Sequence, residues 1–134
     1  MERNKKSTRD EVGEKLSTLC SLLIAKIYEA APSLSVHCIS RETEGKLKNS
    51  SIVHFSADAA EIDKLQWSVI EDYLKENGCE SLFAMQGIYN AGDGVWRGFD
   101  LTGEPDAEAK AVERGELEPP YKTRYLEITL WVKE

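Results

Sequence analysis

The side chains of this chain that could do nucleophilic or acid–base chemistry are few and scattered. There are two histidines, His37 and His54, and three cysteines, at positions 20, 38 and 79. The histidines fall in two neighbouring predicted strands, and a cysteine beside a histidine can act as a nucleophile. His37 and Cys38 are adjacent in one strand, however, so strand alternation predicts that they point to opposite faces. We therefore expect structural or surface histidines and no catalytic residue.

Carboxylates are abundant and gather in two places. Glu71, Asp72 and Glu76 fall late in a predicted helix, whereas Asp93 and Asp100 flank a predicted strand. Such groups can bind Mg²⁺ or form an acid–base pair. The run at Asp93 lacks the spacing of a calcium loop, and no glycine-rich phosphate loop occurs in the chain. The sequence therefore predicts a solvated acidic surface that holds no metal and no cofactor.

The acidity of the chain belongs to one half of it. The 134 residues include 17 Lys+Arg and 24 Asp+Glu, a formal net charge of −7. Residues 58–118 hold 15 acidic and 5 basic side chains, a net of −10, so the remainder is slightly positive. Such a field repels nucleic acid and anionic lipid and attracts a basic protein. The expected partner is therefore a basic protein, with no nucleic acid and no membrane.

The cysteine pattern and the N-terminus indicate a cytoplasmic protein. The three cysteines are an odd number without a C-x-x-C pair, which is typical of reduced thiols rather than of a disulfide scaffold or a zinc site. The first residues are charged and do not resemble a signal peptide, and no apolar run has membrane-spanning length.

Apolar residues spaced by three and four positions predict two main helices. The first begins at a capping box, Thr8 to Glu11, and ends before Pro32, and the second begins at 58–61 and ends at Asn77-Gly78. Residues 103–115 are expected to form a short, weak helix. The predicted apolar faces consist of Val12, Leu16, Leu19, Cys20, Leu23 and Ile27 in the first helix, and of Ile62, Leu65, Val69, Ile70, Tyr73 and Leu74 in the second.

Five strands are predicted, at residues 34–40, 51–56, 82–89, 95–101 and 121–133. A polar loop, 41–49, joins the first two, and the turn formers of residues 90–94 join the next two. Two hairpins without alternating βαβ units predict one α+β domain over residues 1–134, with residues 1–7 frayed. The expected architecture is an antiparallel sheet of about five strands with two main helices packed on it. The faces predicted to turn toward the core include Leu34, Val36 and Cys38 in the first strand, and Val95, Phe99 and Leu101 in the fourth.

Trp96 is the most suggestive aromatic residue. If Phe99 and Leu101 face the core, Trp96 and Asp100 lie on the opposite face of the sheet, and Trp131 does so in the last strand. An exposed indole among carboxylates is typical of an interface with a basic partner. Helices on both faces of the sheet would instead bury Trp96 and Trp131, and the sequence does not decide between the two arrangements.

The opening helix reads Leu23-Ile24-Ala25-Lys26-Ile27-Tyr28-Glu29-Ala30-Ala31-Pro32 and leads into a hairpin. The second helix ends Tyr73-Leu74-Lys75-Glu76-Asn77-Gly78 and leads into a hairpin with a Gly-Asp-Gly turn. In this order of elements the chain resembles the YezG-like family of bacterial toxin-immunity proteins. The resemblance implies an inhibitor of a toxin, and it assigns no role to any single residue.

Charge and resemblance together predict an acidic immunity protein that occludes a basic toxin, plausibly a nuclease, of a contact-dependent or secreted competition system. Two alternatives stay open. One is a small enzyme that uses His37, His54 and nearby carboxylates. The other is a dimeric accessory or phage-encoded protein with Trp96 and Trp131 at a self-interface. The residues predicted to bind the partner are Glu71, Asp72, Asp93, Trp96, Asp100, Glu104, Asp106 and Glu108.

Overall fold

The computed structural model describes residues 8–57, 59–90, 94–104, 106–117 and 123–133. The predicted α+β class and the predicted order of elements are confirmed. The elements are α1 (Thr8–Ala30), β1 (Ser35–Glu42), a 3-10 turn (Gly45–Leu47), β2 (Ser50–Ala57), α2 (Ala59–Ile62), α3 (Trp67–Glu76), β3 (Ser81–Asn90), β4 (Val95–Asp100), α4 (Ala107–Glu113) and β5 (Thr123–Trp131).

The last strand lies at the centre of the sheet. The strand order is β1-β2-β5-β3-β4, and every pair of neighbours is antiparallel. Each hairpin therefore contributes one inner strand, and β5 joins the two hairpins into a single sheet. Leu126, Ile128 and Leu130 of β5 are fully buried. Because its apolar and polar residues alternate, β5 can pair with a neighbouring strand on each edge while its apolar face packs against the core.

The main helices pack on a single face of the sheet. α1 contacts β2, β5 and α3, and α3 also contacts β3. Beneath them lies the main core, which draws Val53 and Phe55 from β2 and Leu82 and Ala84 from β3. We call this side of the molecule the helical side.

The first helix follows its predicted apolar spacing. All six residues predicted for its inner face are at most 4% exposed. The helix ends at Ala30, two residues before Pro32, as expected because the residue before proline disfavours helical angles. The side chains of residues 8–10, which carry most of the predicted capping box, and the frayed segment predicted at 1–7 lie outside the described residues.

The second predicted helix is two helices. α2 closes with i to i+3 hydrogen bonds from the Lys64 and Leu65 amides, and α3 begins only at Trp67. The interruption resets the helical phase, so Ile70 and Leu74 face the core while Val69, predicted to do so, is 48% exposed. The predicted C-cap is confirmed, because Gly78 has a φ of 102° and the Cys79 amide donates to the Leu74 carbonyl.

A bulge in β1 overturns one predicted face. Val36 lies opposite Phe55 of the core, but the register shifts before Cys38, which lies opposite His54. Cys38 is consequently exposed on the far side of the sheet instead of sharing a face with Leu34 and Val36. One extra residue in a strand reverses the alternation beyond it. β1 also continues to Glu42, two residues into the predicted loop.

A small second cluster lies under α4, which fulfils the expectation of a short helix. Ile88 and Phe99 pack there with Ala111 and Leu117. Phe99 and Leu101 are buried as predicted, whereas Val95 is 45% exposed. Val95 opens β4 opposite Asn90, beyond the part of the strand that this cluster covers.

None of the helices in the described part of the chain has the length and apolar character needed to cross a membrane.

Candidate functional site

The face of the sheet opposite the helices is uncovered by any described helix, and we call it the open face. Strand pairing places on it three neighbouring rows, in which Phe83 lies opposite Thr129, Met85 opposite Glu127, and Gly87 opposite Tyr125. The alternative in which helices bury both tryptophans does not hold, because Trp96 is 50% exposed and Trp131 is only partly buried. The remaining described members of the open face include Cys38, Ile52, His54, Ser56, Ser81, Gly98 and Asp100.

An aromatic pair dominates one end of the open face. The rings of Trp96 and Tyr125 have their centroids 5.4 Å apart and are tilted by 52°. Gly87 lies between them in the sheet, and a Cβ atom added there would fall 2.1 Å from a carbon of the Tyr125 ring. The missing side chain therefore lets the tyrosine ring lie across β3 toward the indole. Large aromatic surface held in a fixed geometry is typical of binding anchors.

A polar row crosses the other end of the open face. Cys38, His54 and Glu127 are successive cross-strand partners on β1, β2 and β5. The Nε2 atom of His54 lies 3.6 Å from Oε2 of Glu127, an ion pair when the imidazole is protonated. The Cys38 thiol is free and exposed.

The same bulge that exposes Cys38 brings His37 onto the open face. Its Nε2 atom contacts the Ser56 hydroxyl, and Ser56 shares its face with His54 two residues away. The expectation that His37 and Cys38 point to opposite faces is therefore wrong. A strand bulge places two successive residues opposite one partner residue, which breaks strict alternation.

Asp100 is built into a turn. Its Oδ1 atom accepts hydrogen bonds of 2.8 Å from the amides of Thr102 and Gly103 and from the Thr102 hydroxyl. Partial burial would raise the pKa of this carboxyl, but these hydrogen bonds outweigh it and hold the pKa below its ordinary value. The carboxylate therefore fixes the exit from β4, and it offers a partner fewer unused acceptor sites than its sequence position suggests.

Two of the other predicted carboxylates lie on the helical side of the sheet. Glu71 and Asp72 are on α3, and Glu71 forms an ion pair of 2.8 Å with Lys75. Glu104 precedes α4 and is exposed. The structure thus separates the predicted residues, since Trp96 and Asp100 lie on β4 whereas Glu71 and Asp72 lie on α3.

Two of these acids have partners in or beside α4. Asp106 lies 3.5 Å from Lys110 and remains largely exposed. Glu108 turns inward, where its Oε2 atom accepts a hydrogen bond of 2.9 Å from the buried amide of Gln86. Glu108 therefore supports the attachment of α4 to β3. Asp93 lies outside the described residues.

Most basic side chains of the acidic half, residues 58–118, form ion pairs with carboxylates of the same half. Lys64, Lys75, Lys110 and Arg114 each lie within 4 Å of a carboxylate of the same segment. By contrast, several exposed carboxylates have no ion pair or side-chain hydrogen bond among the described residues. These are Asp72, Glu76, Glu80, Glu104 and Glu113.

The described clefts are not lined by either histidine. Three clefts of about 240–370 Å³ open among the described residues: between α1 and the end of α3, between α1 and β1, and beside α2 and α3. No group of three or more His, Cys, Asp or Glu side chains in the described ranges could hold a metal ion.

Sequence reasoning missed Tyr125, Gly87 and Glu127 as members of the site. The alternation of the last strand places Tyr125 and Glu127 on one face, but only the central position of β5 sets them beside Trp96 and His54. The surfaces have to be interpreted from their own chemistry, since no protein-family model, no curated protein and no solved structure matches this chain.

Proposed function

We propose that this protein is an acidic immunity protein, or antitoxin, that binds a basic bacterial toxin and neutralises it by occlusion. This proposal is carried by the exposed carboxylates on α3, on α4 and in the segments beside them that have no ion-pair partner among the described residues. Because Lys64, Lys75 and Lys110 form ion pairs with other acids, we expect the described part of this surface to keep a net negative charge.

The chemistry of such a surface suits an inhibitor. A nuclease or another toxin that holds phosphate groups must be electropositive, so an acidic surface complements the same field and speeds association. Occlusion needs no catalytic group. Asp72 and Glu76, at the exposed end of α3, are the acids that we expect to contribute most, and Trp96 lies on the other side of the sheet.

The direct test is co-purification with the product of the gene adjacent to the one that encodes this chain, at low and at moderate salt. Capture of a basic protein whose toxicity is neutralised supports the proposal. A neighbouring product that is toxic but is neither bound nor neutralised at either salt concentration rejects it.

A charge-reversal pair locates the surface. Asp72→Lys removes an exposed carboxylate of the acidic half, and Glu44→Lys makes the same change in net charge at an exposed site outside it. We expect Asp72→Lys to weaken binding of the toxin roughly tenfold, about 1.4 kcal/mol, and Glu44→Lys to leave it unchanged. Equal effects of both variants would show that only overall charge matters and would reject the helical side as the interface.

One observation favours a second candidate, a small enzyme. Cys38, His54 and Glu127 form a row in which a carboxylate contacts an imidazole beside a thiol. That order of groups is the one used to activate a cysteine nucleophile. A panel of activated esters tests it: turnover that is lost in both Cys38→Ser and His54→Gln supports an enzyme, and no turnover by the natural chain rejects it.

A further inference from the structure

The open face combines exposed apolar side chains with few ionisable ones among its described residues, on a strongly acidic protein. Trp96 and Phe83 are 50% and 37% exposed, and Ile52, Met85 and Trp131 are only partly buried. The ionisable side chains among them are mostly engaged, since Glu127 faces His54 and Asp100 accepts three hydrogen bonds within its turn. Several large apolar side chains gathered on one exposed sheet face are typical of an interaction site.

We propose that the open face is the interface of a symmetric homodimer, in which two copies of this chain stack sheet against sheet. The product is a four-layer sandwich of helices, sheet, sheet and helices. This inference does not rest on the proposed function, because it concerns the opposite side of the molecule.

The size of the open face matches a stable dimer. Five strands about 4.8 Å apart give a width of about 24 Å, and strands of about eight residues give a length of about 27 Å. The projected area is therefore about 650 Å², and the accessible area is larger because side chains roughen the surface. Stable interfaces bury about 800 Å² on each partner.

The charge distribution favours a second copy of this chain, rather than a basic protein, as the partner of the open face. The exposed acids Asp72, Glu76 and Glu113, which have no ion pair among the described residues, belong to α3 and α4 on the helical side. We expect a basic protein to bind on that side.

In a face-to-face dimer the two helical layers lie about 30 Å apart, given sheets about 10 Å apart and a helix layer about 10 Å from each sheet. That distance exceeds the Debye length of about 8 Å at physiological salt, so the acidic layers repel each other weakly.

Sedimentation equilibrium of the full chain over the micromolar range, at low and at high NaCl, tests the proposal. We expect twice the 15.1 kDa monomer mass, with no weakening at high salt because the contact is apolar. A mass of 15.1 kDa throughout the range, or a dimer that dissociates as salt rises, overturns the proposal.

Matched variants locate the interface. Trp96→Glu places a charge on the open face and is expected to yield a monomer, whereas Val69→Glu alters a residue of α3 that is almost equally exposed, at 48%, and is expected to stay dimeric. Circular dichroism and thermal melting establish that each variant is folded. Should Trp96→Glu fail to fold, Phe83→Glu replaces it. A folded open-face variant that stays dimeric, or a Val69→Glu variant that dissociates, places the contact elsewhere and overturns the proposal.

Discussion

The two faces of the central strand, β5, differ in burial and in chemistry. On the helical side, Leu126, Ile128 and Leu130 are completely buried beneath α1 and α3. On the open face, Tyr125, Glu127 and Trp131 stay partly exposed. One face of β5 therefore supplies the interior of the fold, whereas the other is partly exposed apart from Thr129, which is 5% exposed. Stability and surface chemistry can consequently be changed separately along β5, one residue at a time.

The strongest test of this contrast compares Ile128→Ala with Glu127→Ala. Deleting the buried side chain removes its transfer free energy and leaves a cavity, so we expect the free energy of unfolding to fall by about 2–5 kcal/mol. The Glu127 change, on the open face, is expected to cost less than about 1 kcal/mol. Urea denaturation of both variants measures the difference. Comparable losses would mean that the open face is covered in the folded protein.

The aromatic end of the open face provides a second test, Gly87→Ala. The new methyl group would overlap the Tyr125 ring, so the ring must leave its place beside Trp96, at an expected cost of about 1–3 kcal/mol. Chemical denaturation and tryptophan fluorescence report the stability and the displaced ring.

The control for that test is the double variant Gly87→Ala, Tyr125→Ala. If the cost arises from the clash, the glycine change should be nearly neutral once the ring is absent, giving a clear coupling energy. Additive costs would contradict the explanation.

A smaller effect is expected at Asp100, whose carboxylate orders the turn after β4. At pH 7 we expect Asp100→Ala to reduce stability by about 1 kcal/mol through the lost hydrogen bonds. The folded-state pKa of this carboxyl is depressed. Its contribution is therefore complete above about pH 4 and is lost as the pH falls through the folded-state pKa.

Urea denaturation of the natural chain and of Asp100→Ala, repeated from neutral to acidic pH, measures this dependence. The difference between the two proteins should shrink on acidification. A difference that stays constant across this range would show that the carboxylate's charge contributes nothing. This result also bears on any charge reversal at Asp100, which would disturb the turn as well as a binding surface.

Much of the fold was predictable because it follows from local patterns. The apolar stripe of α1, its end before Pro32 and the glycine cap after α3 each depend on residues a few positions apart. The residues whose burial was predicted wrongly follow a local irregularity in a helix or strand. Such an irregularity changes which face of the element each later residue occupies. The interruption between α2 and α3 exposes Val69, and the bulge in β1 turns Cys38 outward.

The candidate site was less predictable, because it depends on which strands become neighbours. Spacing alone indicated that Trp96 and Asp100 share a face of β4, and this holds in strand register. It gave no means of knowing that Tyr125 lies beside Trp96, or that the predicted acids of α3 lie across the sheet from it.

The sequence by itself determined the order of the main helices and strands, the acidic half and the alternation of the last strand, since these properties reside in short stretches of chain or in composition. Only the tertiary structure decided that β5 enters between the two hairpins, that the main helices gather on one face, and that aromatic and acidic surfaces are separated. The physical reason is that strand pairing and helix packing join residues far apart in sequence. Which of them meet depends on burying the largest apolar area of the whole chain at once.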